Sequence, residues 1–160
     1  MGSVHWQDQD TSNCSIGRTW DIMGKPWVLL ILREVFRGLH RFDDIRRHLG
    51  ISEPVLSRRL HGLVEEGVLE RRPYRTPGNR TRDEYHLTEA GLELFPLLVA
   101  LKAWGDRHLA GPEGPATVHE HQGCGRPVVL ELRCTADHRL EGVGGVEARS
   151  GPAARALARE

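Results

Sequence analysis

Between Phe42 and Leu87 three patterns follow one another without a gap: a short helical run, FDDIRRHLG; a second helical run, SEPVLSRRLHGLVEEG; and VLERRPYRTPGNRTRDEYHLT, two strand-like runs around an arginine-rich middle. No other stretch limits the fold so strongly. The order predicts a helix-turn-helix followed by a β-wing, and it sets a helix beside a basic hairpin. One of the two can enter a DNA groove while the other holds the flanking phosphates.

The second helix carries most of this reading. Ser52 is placed to cap it through its hydroxyl, with Glu53 and Pro54 in the first turn, where an acid and a proline are both favoured. Gly67 ends it. At 100° per residue, Leu56, Leu60, Leu63 and Val64 form one stripe that must be buried. Pro54, Val55, Ser57, Arg58, Arg59 and His61 are left outside that stripe. Arg58 lies almost opposite the leucines, where it can donate two hydrogen bonds to guanine O6 and N7, while Val55 can touch a thymine methyl. Ser57 and Arg59, on the flanks, suit phosphates better.

The wing follows from charge. From Arg71 to Arg82 there are five arginines (Arg71, Arg72, Arg75, Arg80, Arg82) and no acid, although the chain balances 22 basic against 22 acidic residues. Thr76, Pro77, Gly78 and Asn79 signal a turn, so Arg75, Arg80 and Arg82 are expected at or beside a hairpin tip. A like-charged run on a small turn repels itself unless a polyanion lies against it. An ordinary solvated hairpin is the competing reading.

Three stretches, CSIGRTWDIMGKPWVLLILREVF, HRFDDIRRHLGISEPVLSRRLHGLVEEGVLERR and EYHLTEAGLELFPLLVALKAWG, resemble the HxlR-type transcriptional regulators, a winged-helix group related to MarR regulators. The likeness runs from Cys14 to Gly105. It implies a dimeric, sequence-specific DNA-binding regulator, with the helix after Ser52 in the major groove and the hairpin around Gly78 as wing. Two positions depart from the family pattern. The usual Gly-Gly-Lys-Trp stands here as Gly24, Lys25, Pro26, Trp27, and Ser15 follows the N-terminal cysteine where proline is common. Pro26 suits a helix start.

The expected fold class is therefore mainly α with a small β-wing (α+β): a winged helix-turn-helix with a long C-terminal dimerisation helix and a small β-rich C-terminal appendage. Expected boundaries are a disordered arm over 1–12, the DNA-binding and dimerisation domain over 13–110, a linker over 111–118 and the appendage with a flexible tail over 119–160. The nearly all-apolar run PWVLLILREVF reads as a buried scaffold helix. Thr88 caps a segment, EAGLELFPLLVALKAWGDRHL, that would extend about 30 Å if continuous, with a bend at Pro96. Leu92, Phe95 and Val99 make one stripe; Leu94, Leu97, Leu101 and Trp104 lie opposite. A helix apolar on two sides needs two partners, its own domain and the matching helix of a second copy. The competing reading covers the extra stripe with the chain's own C-terminal part.

Cys14, just before a predicted helix, matches in position a cysteine that some members of the family use to sense oxidants or electrophiles, and Arg18 lies one turn on. A buried, inert thiol is the alternative. Beyond the GPEGPATV linker, strand-like runs are expected at Val128–Arg133 and around Val143–Ala148. There His119, His121, Cys124, Cys134 and His138 offer zinc ligands, the set Cys124, Cys134 and His138 foremost, yet no CxxC pair is present. Zinc apart, no cofactor is expected.

Three cysteines do not make a secreted disulfide framework, and the longest apolar run, Trp27 to Leu32, is far short of the roughly 20 residues that cross a bilayer. A cytoplasmic protein with no membrane partner is expected. No nucleophile, base and acid assemble at a recognisable spacing, and no phosphate loop or metalloprotease motif occurs, so an enzyme is not expected. The expected partners are double-stranded DNA, a second copy of the chain and, in one variant, a small-molecule effector. The other class is a winged-helix module that binds protein instead of duplex.

Overall fold

The computed structural model describes residues 6–75 and 80–157, leaving the expected turn Thr76–Asn79 with its Gly78 outside the described residues. In chain order the elements are α1 (Ser15–Met23), α2 (Val28–Phe36), α3 (Phe42–Leu49), α4 (Glu53–Glu65), β1 (Leu69–Tyr74), β2 (Arg82–Leu87), α5 (Glu89–Leu92), α6 (Phe95–His108), β3 (Leu132–Arg133) and β4 (Arg139–Leu140). They divide into two units. One spans Ile22–Val118; the other joins the two chain ends, up to Asp21 and from His119.

The unit Ile22–Val118 is built on one apolar cluster. Val28, Ile31, Leu32 and Val35 from α2, Ile45 from α3, and Leu56, Leu60 and Leu63 from α4 are buried together with Val68 and Leu69. Each helix thus points its periodic apolar stripe at the same centre. Val64, from the same expected stripe, is only half-buried against the cluster. Turns with left-handed glycines separate the helices. Gly67, at φ 69°, follows α4, and the Gly67 and Val68 N–H groups donate to Val64 and Leu63 oxygens at 3.1 and 2.9 Å. That is the paired bonding of a Schellman stop, and it turns the chain directly into β1.

α2 starts later than Pro26 suggested. Its first helical residue is Val28, and Trp27 ahead of it holds φ 77°, a left-handed conformation that costs a non-glycine residue energy. Pro26 therefore lies in the turn before the helix, closed by a Val28 N–H to Lys25 oxygen bond of 3.2 Å.

β1 and β2 pair antiparallel, with Leu69 opposite Leu87 and Tyr74 opposite Arg82. The hairpin is fixed to the start of α3. Tyr85 N–H donates to the His40 oxygen at 2.8 Å, Arg41 bridges to Glu84, and the rings of His40 and His86 stack at 4.1 Å.

The long C-terminal helix is in fact two. The helical run stops at Leu92 and resumes at Phe95, which puts Pro96 in the first turn of α6, where its missing N–H removes no bond. The Thr88 hydroxyl accepts from Gly91 N–H at 3.1 Å and donates to the Gly67 oxygen at 2.6 Å, which ties α5 to the loop after α4. Gly91 is required there: a Cβ would sit 2.2 Å from the Val68 oxygen. Two stripe assignments change with the break. Leu92 is exposed, whereas Leu94 packs against the core, so it is not on the free side of the helix. Leu97, Leu101 and Trp104 are exposed on α6. The reason is the altered helical phase across residues 93–94.

The second unit pairs the chain ends through backbone. Asp10 N–H donates to the Arg155 oxygen at 2.8 Å, and Leu157 N–H to the Asp8 oxygen at 2.7 Å. A 3-10 turn at Trp6–Asp8, within the arm expected over 1–12, precedes this pairing. The expected strand over Val128–Arg133 shrinks to β3, and Val143–Gly145 is a 3-10 turn instead of a strand. Both runs are glycine-flanked or exposed, with no sheet face to bury.

Candidate nucleic-acid interface

The outward side of α4 begins at Ser52, whose extended backbone (φ −69°, ψ 146°) makes it the N-cap although its hydroxyl makes no capping bond. Pro54, Ser57, Arg58 and His61 are exposed along the helix. Arg58 has no hydrogen-bond partner among the described residues, so its guanidinium is available to a ligand. Two expected members of this face have other work. Val55 is half-buried against the core, which removes it as a free methyl contact. Arg59 donates through Nε to the Pro26 oxygen at 2.9 Å, tying α4 to the turn before α2.

The wing strands are less basic in space than in sequence. Asp83 and Glu84 on β2 stand opposite Pro73 and Arg72 on β1. Arg82 bonds Asp43 of α3 at 2.7 Å, and Arg72 bonds Glu70 at 2.6 Å. Arg71 lies 3.2 Å from the His61 ring nitrogen, linking the wing to α4. Among the described residues of the wing, Arg71, Arg75 and Arg80 are exposed with no acidic partner, Arg75 and Arg80 on either side of the turn. Sequence reasoning missed the Arg82 pair because its partner lies 39 residues away on α3.

Between α3, the first turns of α4 and the wing lies an open cleft of about 450 Å³, lined by Phe42, Glu53, Ser57, Tyr74 and Tyr85 among others. Its base is rigid. Arg41 donates to Glu84 at 3.0 Å and stacks 4.5 Å from the centre of the Tyr74 ring. The hydrogen bond from Arg41, with a smaller one from His86, holds the Glu84 carboxyl below the usual range. Burial raises the Tyr85 phenol.

One charged residue was hidden in the apolar reading of α2. Glu34 is fully buried, with Arg33 Nε donating to its Oε1 at 2.6 Å and Arg37 3.8 Å away. Its Oε2 lies 2.7 Å from His48 Nδ1 of α3, out of line for a hydrogen bond. The signal was there: a lone acid next to an arginine inside the otherwise apolar VLLILREVF. The cluster joins the scaffold helix to the first helix of the helix-turn-helix, and no nucleophile accompanies it.

In the other unit, Cys14 is exposed, directly before α1, as are Cys124 and Cys134. Among the described residues no three His, Cys, Asp or Glu side chains come together as a metal site, so Cys124, Cys134 and His138 are not gathered into one. No helix among the described residues is long and apolar enough to cross a membrane.

Comparison with known proteins agrees with this geometry. Residues 22–112 match the model of the HxlR-like helix-turn-helix family. An uncharacterized HTH-type transcriptional regulator of Mycobacterium tuberculosis is 47% identical over 121 residues, covering 76% of this chain and 75% of its own. The crystal structure of the transcription factor PA1607 superposes with a TM-score of 0.76 at 34% identity, covering 87% of this chain and 96% of that one. The redox regulator HypR in its oxidized form is similar at a TM-score of 0.55 and 28% identity, over 61% of this chain and the whole of that one. With matched family residues covering both helices of the helix-turn-helix, the wing and α6, the chain belongs to the HxlR-like helix-turn-helix transcriptional regulators.

Proposed function

We propose that the protein binds double-stranded DNA as a homodimer on a palindromic operator and acts as a repressor by occupying it. The observation that carries this reading is Arg58, exposed and unpartnered opposite the buried leucines of α4, with Arg75 and Arg80 exposed at the wing. An arginine so placed can form a bidentate pair with guanine, and wing arginines suit phosphates. The exposed stripe Leu97, Leu101 and Trp104 on α6 supports a two-fold pairing of helices. Such a dimer would set its recognition helices about 34 Å apart.

Selection of genomic fragments bound by the purified protein tests the reading and delivers the operator. A palindrome whose affinity falls steeply with added salt is the expected result. Partner capture that is insensitive to salt, with no duplex retained, would establish a protein-binding module instead.

Cys14 favours a second element, release under oxidants. It is an exposed thiol at the start of a helix, and a solved relative is a redox regulator. Operator release by diamide is expected in the parent protein and lost in Cys14→Ser; an equal response in both would remove the thiol from the mechanism.

A further inference from the structure

α3 is a short helix seated by little apolar surface. It has eight residues, of which Ile45 is buried while Phe42 and Leu49 pack half-buried against the core. Polar contacts fix its two ends. The N-terminal end meets the wing, through Arg41 with Glu84 and Asp43 with Arg82. The C-terminal end meets α2 through His48, whose Nδ1 lies 2.7 Å from Glu34 Oε2. Just beyond His48 the chain turns at Gly50, in the left-handed region at φ 64°, and α4 begins at Glu53. A shift at His48 is therefore carried into the first turn of α4.

Glu34 is an expensive residue to place here. A carboxylate wholly out of solvent needs partners in place of its hydration. Its Oε1 accepts from Arg33 Nε at 2.6 Å. Arg37 stands 3.8 Å from the same oxygen and gives its Nη2 to the Thr117 hydroxyl at 2.8 Å. Oε2 has no hydrogen bond among the described residues, and the group it faces is the His48 ring. Exchanging a buried ionic group for an apolar side chain of like volume commonly leaves a protein as stable or more so. Arg33 and His48, at 39% and 54% exposure, would be solvated without it. Stability alone therefore gives no reason for a carboxylate at this position, whereas a fixed seat for α3 does.

We propose that Glu34 and His48 are positioning residues for base reading: their contact sets the C-terminal end of α3, and with it the angle at which α4 meets the base edges. The proposal rests on the DNA reading given above. Base contacts are the part of a duplex interface that such an angle governs, because hydrogen bonds weaken steeply out of line. Phosphate contacts are long-ranged and carry no sequence information, so a small tilt leaves them largely intact. Loss of the pair should accordingly fall on the discrimination between operator and other duplexes.

The test compares the full-length parent with three variants, by fluorescence anisotropy on the selected operator and on a random duplex of the same length. Glu34→Leu should weaken operator binding about tenfold, comparable to the loss of one base contact. Its binding to the random duplex should change less than about twofold, and its melting temperature should equal or exceed the parent's. His48→Ala should show the same selective loss on the operator. His48→Asn should restore operator affinity to within about threefold of the parent, because the asparagine amide nitrogen stands where Nδ1 of the imidazole stands and can donate to Oε2.

Unchanged operator affinity in Glu34→Leu or His48→Ala would overturn the proposal, as would His48→Asn binding as weakly as His48→Ala. Equal losses on operator and random duplex would also overturn it, since a contact that only positions base reading cannot produce them. A Glu34→Leu protein that fails to fold, or melts more than about 5 °C below the parent, would make the carboxylate a stability element and refute the positioning role. A parent protein that retains no duplex would sink the DNA reading itself, and the positioning role with it; variants that fail these expectations while the parent binds would sink the positioning role alone.

Discussion

The two units of this chain differ in what holds them together. Ile22–Val118 gathers the apolar faces of three helices and the first strand around side chains that are wholly out of solvent. The unit formed by the chain ends has no buried side chain among its described residues. Its order is carried by backbone bonds between Asp8–Asp10 and Arg155–Leu157 and by surface ion pairs such as Arg133 with Glu131 and Asp137. Exposed pairs of this kind contribute little each. A core fixes side chains to within hydrogen-bond tolerance; a backbone ladder in water fixes only the path of the chain. The DNA-contact residues proposed above, Arg58, Arg75 and Arg80, all sit on the first unit.

The comparison can be broken most directly in the core. Leu60→Ala should cost about 2–5 kcal/mol in chemical denaturation, since Leu60 is wholly buried among close-packed neighbours. Leu132→Ala, in the other unit and 63% exposed, should stay within about 0.5 kcal/mol. Equal effects would show that the second unit has a core of its own. Gly91→Ala comes next, at about 1–3 kcal/mol, because the new Cβ meets backbone and not a yielding side chain.

The sharper contrast within the first unit concerns DNA. Arg58→Ala should relax preference at one base pair of the selected operator and weaken binding by about 1–3 kcal/mol in gel shift. Arg80→Ala should weaken all duplexes alike and lower the salt slope by about one. If neither moves affinity, helix and wing are not the interface.

The smallest effect is on pH. Glu84 has its folded pKa depressed by Arg41, so its contribution is complete above the ordinary carboxylate value and is lost as pH falls through the depressed one. Thermal melts followed below about pH 4 should therefore show an acid loss that Glu84→Gln reduces slightly. An identical acid profile in both proteins would assign that loss to other carboxylates.

Where burial has a period, the sequence was readable. The leucines of α4 at 56, 60 and 63 and the capping pattern at Ser52 foretold both the helix and the side it turns inward. The helix expected just after Cys14 and the two wing strands, read from local cues and not from a burial period, also stand where expected. Sequence reasoning failed where the deciding contact lies far off along the chain. Arg59 faces outward on a helical wheel, yet the Pro26 carbonyl, 33 residues away, claims it. Arg82 belongs to a basic run, yet Asp43 neutralises it across the fold. Leu94 changed sides because two residues of turn before Phe95 reset the helical phase. In the terminal unit no burial period exists to be read, and the strand lengths expected there were accordingly too long.

The seat of α5 has a mechanical consequence. Gly91 rests directly on the Val68 carbonyl, and Thr88 bonds both that loop and α5, so the stop of α4 and the start of the path to α6 are one piece. A protomer made this way has little slack between its reading helix and the helix that would meet a second copy. In the dimer proposed above, a change in the spacing between the two α4 helices would have to arise where the copies meet, as a rotation of whole protomers, and an effector that altered spacing would act across that seam.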